Sequence, residues 1–343
     1  MINTIRTEIG SEYNYIETTQ EDNGLFRDDS RWFISGTSAL NSIVEDILLT
    51  NSVKTVALPS WCCSCMIDPF IKRGINVVFY PVYYLNGDLI CDYTKTKGCD
   101  ITLLIKYFGY TTQKEKGHPD GIIINDLTHS IFTTDFQEAD YYFGSLRKWS
   151  GFWTGGFAWK NGEWRINYPP ATASDNYVSL RKRAMTLKSH YLAGTTENKE
   201  YLGLFKKAEA YLDECGIESA DKRDVEMAKR LDISYIKNKR RANATILLEY
   251  LSRYAVFPQI MDNDCPLFVP IILETKQRDA LRSYLISKDI YTPVHWPIEK
   301  THILTEETKQ LYESELSIIC DQRYSQTEMQ RIISEIHKFG IKL

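Results

Sequence analysis

The chain lacks any apolar segment long enough to cross a bilayer. The longest such segments, for example residues 77–85, are far too short for a transmembrane helix. Residues 1–14 are mixed and polar, so they lack the cationic start and apolar stretch of a signal peptide. These two absences predict a protein that stays in the cytoplasm and makes no contact with a membrane.

The chain also lacks an excess of charge of either sign. It has 41 Lys and Arg against 45 Asp and Glu, which gives a net charge of -4. This balance offers no electrostatic reason for a nucleic-acid partner or an anionic membrane surface. A small-molecule substrate is the partner that this composition favours.

No linker rich in Pro, Gly or Ser, no repeat and no low-complexity tract is present. The 343 residues exceed what one hydrophobic core usually serves, and the 43% hydrophobic and 25% charged residues are typical of globular proteins. We therefore expect a large domain and a smaller one, packed closely rather than tethered.

The eight cysteines do not have the spacing of a metal site. Cys62 and Cys63 are adjacent, so they are poorly placed to share one tetrahedral ion, and no second ligand pair stands at zinc-finger spacing. Without a secretory signal, reduced thiols are favoured over a disulfide framework. We expect Cys62, Cys63 and Cys65 to be buried small thiols at the start of a helix, and no metal.

Hydrophobic periodicity predicts an α/β domain followed by helices and a mixed C-terminal segment. A helix is predicted over 38–49, after the start signal Ser35-Gly36-Thr37. Short apolar runs typical of buried parallel strands follow at 55–58, 77–80, 101–105, 122–124, 141–143 and 156–159. Amphipathic stretches then predict helices at 177–191, 199–215 and 225–254, and strand, helix, strand and helix at 267–273, 276–287, 291–295 and 327–339. We place the large domain at 1–240, with its helical extension, and the small α+β domain at 241–343.

Three motifs stand where an α/β sheet presents its strand ends, which is where such folds bind ligands. The first is Ser35-Gly36-Thr37-Ser38-Ala39-Leu40. Its N–H groups and hydroxyls at a helix N-terminus suit a phosphate. A helix cap that binds nothing is the structural alternative.

The second motif runs from Ile122 to His129, where an apolar strand stops at Asp126. Asp126 is suited to keeping a positively charged ring nitrogen protonated. An Asx-turn at a strand end is the alternative for Asp126, and a structural hydrogen bond is the alternative for His129.

The third motif is Phe143-Gly144-Ser145-Leu146-Arg147-Lys148-Trp149, followed by Gly155-Gly156. A lysine between aromatic residues and next to Arg147 is expected to lose proton affinity through desolvation and like charge. This is what a Schiff-base lysine requires, because only the neutral amine attacks a carbonyl. A surface lysine is one alternative. Ser145-x-x-Lys148 with Ser174-Asp175-Asn176 also imitates serine β-lactamases, but the Lys-Thr-Gly motif that belongs near the C-terminus is missing.

Two further residues are candidates with an open alternative. Trp61, after Pro59-Ser60, is suited to lying over a flat ring, and core packing is its alternative. His295 stands at a predicted strand end, and we expect it to reach the cleft, and the substrate there, from the small domain. Burial of His295 against Trp296 is the alternative.

Taken in order, these motifs resemble the DegT/DnrJ/StrS family. They are Ser35-Gly36-Thr37-Ser38-Ala39-Leu40, Leu58-Pro59-Ser60-Trp61, Tyr107-Phe108-Gly109, Asn125-Asp126-Leu127-Thr128-His129-Ser130 and Ser145-Leu146-Arg147-Lys148-Trp149 with Gly155-Gly156. The resemblance implies the aspartate-aminotransferase fold of pyridoxal-phosphate enzymes, with a large domain built on a mostly parallel seven-stranded sheet, a small C-terminal α+β domain, and a homodimer. It also implies transfer of an amino group, with glutamate as donor, to a nucleotide-linked keto sugar in the biosynthesis of cell-surface polysaccharide or secondary metabolites.

The roles implied by the resemblance fall on definite positions. Those for the cofactor are Gly36, Thr37, Ser38 and Ser145 at the phosphate, Asp126 at the pyridine nitrogen, His129 near the ring hydroxyl, Trp61 or Cys63 on the ring face, and Lys148 as the lysine that holds pyridoxal phosphate. Lys148, Asp126 and His129 are accordingly the predicted catalytic residues.

The chain departs from the family downstream of Gly156. No G-x-N-x-R-M-like segment follows, and the helical stretch 177–215 stands in its place. The alternatives are therefore another pyridoxal-phosphate reaction on the same fold, such as amino-acid transamination, elimination or decarboxylation, or a non-catalytic sensor or scaffold.

Overall fold

A computed structural model describes residues 8–133, 137–166 and 172–341. Within these ranges the strands are β1 (Ile9–Gly10), β2 (Arg31–Phe33), β3 (Thr55–Pro59), β4 (Asn76–Tyr80), β5 (Val82–Leu85), β6 (Asp88–Asp92), β7 (Ile101–Ile105), β8 (Lys114–Lys116), β9 (Ile122–Asp126), β10 (Tyr141–Ser145), β11 (Gly156–Lys160), β12 (Val269–Ile272), β13 (Ile290–Tyr291) and β14 (Glu315–Ile318). The α-helices are α1 (Gly36–Leu48), α2 (Asp68–Ile71), α3 (Asp175–Leu192), α4 (Glu200–Glu214), α5 (Lys222–Lys229), α6 (Ile233–Leu251), α7 (Thr275–Ile286), α8 (Glu306–Ser314) and α9 (Gln326–Phe339).

The central element is a seven-stranded sheet with the strand order β2-β11-β10-β9-β7-β3-β4. The pairs β3–β4, β3–β7 and β7–β9 are parallel, and β2 pairs with β11 antiparallel. All five residues of β7 are buried, as expected for a strand covered on both faces. Each of the six strands predicted before residue 160 is present, so the predicted α/β fold class with a seven-stranded sheet is confirmed.

By their contacts, the described residues form two compact units. The first unit comprises the described residues of Met1–Thr50 and Phe143–Asp232, and the second unit comprises those of Asn51–Tyr142 and Ile233–Leu343. These bounds differ from the predicted division at residue 240. The reason is that contacts join segments far apart in the chain: α1 packs on β11 in the first unit, and α6 packs on α9 in the second. The predicted pair of domains, 1–240 and 241–343, stays a prediction.

The first unit contains the pair β2–β11, helix α1, and a helical hairpin in which α3 packs on α4. The hairpin buries a cluster of Ala184, Met185, Tyr191, Tyr201, Leu204 and Phe205. The stretch predicted to be helical over 225–254 contains two helices, because α5 ends at Lys229 and α6 begins at Ile233. Between them Leu231 forms a β-bridge with Thr18, and the Asp232 N–H donates to the Glu17 carbonyl. Extended backbone contacts replace helical hydrogen bonds at this point.

The second unit contains the parallel strands β3, β4, β7 and β9, a three-stranded sheet of order β5-β6-β8, and the antiparallel pair β12–β14. Helices α7 and α9 match the stretches predicted for them. Among the residues that the structure describes, none of the helices combines the length and the apolar character needed to span a bilayer.

Candidate functional site

The nine predicted site residues are divided between the two units. Gly36, Thr37, Ser38, Ser145 and Lys148 lie in the first unit, and Trp61, Asp126, His129 and His295 lie in the second.

The start of α1 presents backbone donors in the way that the sequence predicted. Ser35 is the N-cap, with extended φ and ψ, and its hydroxyl accepts the Ser38 N–H at 3.1 Å. Among the described residues no acceptor bonds the N–H groups of Gly36 or Thr37, which are the first two of the helix. Two backbone donors and the positive end of a 13-residue helix therefore point the same way, which is an arrangement that binds anions.

The hydroxyl of Ser38 is engaged inside the protein. Its oxygen accepts the Glu218 N–H at 3.0 Å, and it lies 3.3 Å from the Gly216 carbonyl oxygen. Ser38 is also buried, whereas Thr37 is half-buried. Of the three predicted phosphate residues, Gly36 and Thr37 thus keep unused donors, while Ser38 ties the helix start to residues 216–218.

Gly36 is adjacent to Ser145, which ends β10. A Cβ added to Gly36 would lie 3.4 Å from the Ser145 Cβ. The structure therefore brings together the first and third sequence motifs. Both Ser145 and the start of α1 are available to the same anion.

Gly156 explains why the glycine pair follows Lys148. A Cβ at this position would lie 2.1 Å from the Ser35 carbonyl oxygen, far inside any normal contact. Gly155 has φ +114°, which L side chains rarely adopt, and its carbonyl accepts the Leu146 N–H at 2.8 Å. The two glycines thus let β11 approach the N-cap of α1 and fix the turn that carries Lys148.

Lys148 ends a short 3₁₀ turn, Leu146–Lys148, that follows β10. Leu146 and Trp149 are fully buried on either side, whereas the Lys148 side chain is exposed. The Lys148 side chain is therefore not desolvated as we expected. The turn places Leu146 and Trp149 in the core, whereas Lys148 faces outward. Within the described part of the chain the amine forms no hydrogen bond or ion pair.

The charge of Arg147 is compensated, so it is not an unpaired cation beside Lys148. Its guanidinium pairs with Glu209 and donates to the Tyr177 hydroxyl at 3.2 Å. Burial opposes ionisation of Glu209, but the charges of Arg147 and Arg181 prevail and lower its pKa to about 2. Glu12 accepts from Arg181 at 3.2 Å, and its pKa is also lowered, because the two arginines outweigh its burial. The positive charges of Arg147 and Arg181 are therefore balanced by the carboxylates of Glu209 and Glu12.

In the second unit, Asp126 is buried at the end of β9. One of its oxygens accepts the Thr128 N–H at 2.7 Å, which is the Asx-turn considered from the sequence. Burial, and then the negative charge of Asp126, raise the pKa of the Cys62 thiol. The charge of Asp126 therefore affects Cys62, three residues beyond β3, and its carboxylate also closes its own turn.

The aromatic residues of the second unit form one cluster. Trp61 is fully buried, stacks on Tyr107 with ring centroids 4.8 Å apart, and donates its indole N–H to the His295 carbonyl. His129 stacks on Trp296 at 5.6 Å and on Phe108 at 5.0 Å. Trp61 thus has the core contacts of its alternative interpretation, and its role on a cofactor ring stays a prediction.

His295 belongs to the same cluster. Its ring lies edge-on to Trp296 at 5.3 Å and to His129 at 5.6 Å, and Nδ1 is 2.9 Å from the Ser317 hydroxyl. The residue is 8% exposed. The sequence did not identify Ser317 or its neighbour Glu315, since no strand was predicted at 315–318 and no motif marks them.

The expectation of reduced, buried thiols at 62–65 is partly wrong. Cys62 is fully buried, but Cys63 and Cys65 form a disulfide, with Cα atoms 5.4 Å apart across a 3₁₀ turn. This separation is within the range that a disulfide spans. Among the described residues no group of three or more His, Cys, Asp or Glu side chains is placed to hold a metal ion.

The predicted site residues have chemical groups that fit pyridoxal phosphate. The first unit offers N–H groups at a helix start beside Ser145, which suit the phosphate, and an amine for the aldehyde, and none of these has a partner among the described residues. The second unit offers a buried carboxylate, which suits a protonated pyridine nitrogen, and a cluster of flat rings.

No known protein-family profile matches the chain. A relative found by sequence is the dTDP-3-amino-3,6-dideoxy-alpha-D-galactopyranose transaminase of Aneurinibacillus thermoaerophilus. It is 22% identical over 178 residues, which cover 48% of this chain and 45% of the relative. The chain thus matches about half the length of this curated relative.

Solved structures match over most of the chain. NtdA from Bacillus subtilis, with bound cofactor PMP, has a TM-score of 0.62 and 16% identity, covering 92% of this chain and 74% of NtdA. A DegT DnrJ EryC1 StrS aminotransferase from Brucella abortus has a TM-score of 0.57 and 14% identity, covering 91% of this chain and 86% of that one. The predicted resemblance is confirmed at the level of the fold: this chain has the fold of the DegT/DnrJ/EryC1/StrS aminotransferases.

Proposed function

We propose that this chain is a pyridoxal-phosphate-dependent aminotransferase that transfers an amino group from glutamate to a nucleotide-linked keto sugar, in the biosynthesis of cell-surface polysaccharide or secondary metabolites. One observation carries the proposal: the exposed amine of Lys148 follows the strand whose last residue, Ser145, adjoins two open N–H groups at the start of α1. An amine next to an anion site is what a phosphorylated aldehyde requires. The transaminase similarity and the cofactor named for NtdA support the same chemistry.

Each of these residues would have a role that suits its chemistry. Pyridoxal phosphate, when bound, supplies the electron-accepting ring and carries the amino group. Gly36, Thr37 and Ser145 would hold its phosphate, and Asp126 would keep the ring nitrogen protonated. Lys148 would bind the aldehyde carbon and, once released, hold and move a proton at Nζ. His129 would bond the ring hydroxyl.

The covalent assignment is tested by trapping. We expect borohydride treatment of the holoenzyme, followed by peptide mapping, to place the pyridoxyl mass on Lys148, and Lys148→Ala to abolish it. Lys206→Ala, which removes an exposed lysine of α4, is the matched control and should leave trapping unchanged. A pyridoxyl mass on another lysine of the wild-type protein would end the assignment.

The substrate is tested by half-reactions. We expect glutamate to convert the bound cofactor to its amino form, and a panel of nucleotide-linked keto sugars to restore it. Reaction with simple keto acids but with no keto sugar would instead indicate an amino-acid aminotransferase. Elimination or decarboxylation would show as release of ammonia or carbon dioxide, and no half-reaction at all would favour a sensor or scaffold.

His295 is proposed to contact the acceptor substrate. His295→Asn keeps a donor near the Ser317 hydroxyl, so the fold should persist. We expect slower turnover in the acceptor half-reaction, while cofactor binding and trapping at Lys148 remain as in the wild type. Loss of cofactor in this variant would show that His295 has a structural role.

We also propose a homodimer in the cytoplasm. The fold similarity supports the dimer, since in the family that this chain resembles each active site borrows residues from its partner. Light scattering on dilute holoenzyme should give twice the mass of the 39.8 kDa chain. A monomer that binds the cofactor tightly would contradict the dimer.

A further inference from the structure

A buried polar chain links Glu315, Ser317 and His295 in the second unit. One carboxylate oxygen of Glu315 accepts the backbone N–H of His295 at 2.8 Å, and the other accepts the Ser317 hydroxyl at 2.5 Å. The Ser317 oxygen in turn lies 2.9 Å from Nδ1 of His295. Glu315 and Ser317 are completely buried, so no solvent competes for these bonds.

The directions of these bonds follow from counting protons. A serine hydroxyl has one proton, and here it points at Glu315. The Ser317 oxygen therefore meets the histidine as an acceptor, which requires the proton on Nδ1. The buried guanidinium of Arg278 donates to the Glu315 backbone carbonyl at 2.9 Å and so helps to hold this residue in place.

The second ring nitrogen has no such partner. No described residue forms a hydrogen bond with Nε2 of His295, although only 8% of the residue is exposed. The ring is surrounded by the aromatic rings of Phe108, Phe268 and Trp296 and by His129. A neutral imidazole with its proton on Nδ1 carries a lone pair on Nε2, which accepts but does not donate.

We infer that Glu315 and Ser317 are positioning residues that hold His295 as a fixed acceptor, so that its Nε2 recognises a hydroxyl group of the substrate. This inference rests on the proposed function, in which His295 contacts the acceptor. It selects a substrate that offers an O–H at this point, as a sugar does. A carbonyl or phosphate oxygen has no proton to donate and is not recognised there.

The tautomer is measured directly, without any activity. In the full chain labelled with ¹⁵N-histidine, long-range proton–nitrogen correlation reports which nitrogen of each of the six histidines carries a proton. The His295 signals are those lost in His295→Asn. We expect a protonated Nδ1 and an unprotonated Nε2.

The isosteric variant Glu315→Gln reverses the order of the bonds. The glutamine oxygen must accept the fixed His295 N–H, so its amide donates to Ser317, and the serine proton turns to Nδ1. We expect the tautomer to switch to a protonated Nε2. Ser314→Ala, which removes the hydroxyl of a buried residue in the same region, is the control and should leave the His295 signals unchanged.

A second pair of variants tests the inference even if Glu315→Gln fails to fold. Ser317→Thr keeps a hydroxyl and should preserve the wild-type tautomer, whereas Ser317→Ala should lose it. A wild-type ring that is protonated on Nε2 or on both nitrogens, or a tautomer that is unchanged in Glu315→Gln and in Ser317→Ala, would overturn the inference.

Kinetic measurements on the holoenzyme then test whether the tautomer of His295 affects recognition of the substrate. We expect Glu315→Gln to lower kcat/KM by about 10-fold or more for a hydroxylated acceptor and much less for the matching deoxy acceptor, since only the former offers the O–H. Equal losses on both acceptors would overturn the hydroxyl assignment. Because the NMR measurement needs no turnover, failure of the aminotransferase proposal would leave the tautomer result intact and is distinguishable from failure of this inference.

Discussion

Gly156→Ala tests whether the glycine pair positions the anion site. The added Cβ would lie 2.1 Å from the Ser35 carbonyl oxygen and 2.3 Å from its carbon, both of them backbone atoms. Van der Waals contact with carbon is ordinary at 3.4–4 Å, so β11 and the residue that caps α1 must move apart by more than about 1 Å. Displacement of backbone, unlike that of a flexible side chain, is resisted by the strand pairing of Gly156 with Phe33.

Overpacking of this kind costs about 1–3 kcal/mol and occasionally more, and we place Gly156→Ala at about 3 kcal/mol because both clashing atoms are backbone. At roughly 1–2 °C for each kcal/mol in a chain of 343 residues, the midpoint of thermal unfolding should fall by about 4 °C. The affinity for pyridoxal phosphate should fall as well, because Ser35 begins the helix that carries the Gly36 and Thr37 donors.

Gly203→Ala is the matched control in the same unit. Gly203 lies inside α4, and a Cβ there would meet nothing within 4 Å. Alanine should stabilise that helix by about 0.5–1 kcal/mol. Differential scanning calorimetry of both variants measures the change in melting temperature, and cofactor titration measures the change in affinity. If Gly156→Ala melts at the wild-type temperature, the close approach of β11 to the start of α1 is wrong.

Two further variants probe charged side chains. Glu209 has its pKa lowered from 4.5 to about 2, so its ion pairs stabilise the fold above pH 4.5 and are lost as the pH falls from 4.5 to 2. Because its side chain is 47% exposed, Glu209→Gln should flatten the pH dependence of the free energy of unfolding in that window by no more than about 1 kcal/mol, measured by urea titration at each pH. Arg240 is fully buried and donates to Gln322 at 2.8 Å and to the Leu267 carbonyl at 2.9 Å. Arg240→Met should therefore lower the free energy of unfolding by about 3 kcal/mol, measured by urea titration, and exposed Arg253→Met should change it by less than about 0.5 kcal/mol. A loss in Arg240→Met no larger than that in Arg253→Met would refute the argument from unsatisfied acceptors.

Most of the predicted strands followed from the local sequence pattern alone. Four of the five residues at 101–105 are apolar and the fifth is Thr102, a composition typical of a buried strand in a central sheet, and β7 has the predicted bounds. Short or polar strands gave no such signal. β8 is Lys-Glu-Lys and fully exposed, and β2 has three residues, so neither was predicted. Their pairing depends on neighbours that are distant in sequence.

The candidate site was only partly predictable for the same reason. Gly36, Asp126 and Lys148 were predicted because their residue types, within short motifs, suit a phosphate, a ring nitrogen and an aldehyde, and these roles stay a proposal. The hydroxyl of Ser38 looked equally suitable. Only the tertiary structure shows that this hydroxyl bonds with residues 216–218, some 180 residues away.

The sequence by itself determined the α/β class, the helix start at Ser35 and the lysine that follows the strand at 141–145, because each depends on residues within one turn or strand of one another. Only the tertiary structure decided that Gly156 must be glycine to clear Ser35, that Arg147 is neutralised by Glu209, and that Glu315 and Ser317 hold His295. These pairs are separated by 20 to more than 100 residues, or lie in a strand whose burial no local pattern marks. Their energies come from close packing and low dielectric, which exist only once the distant segments have met.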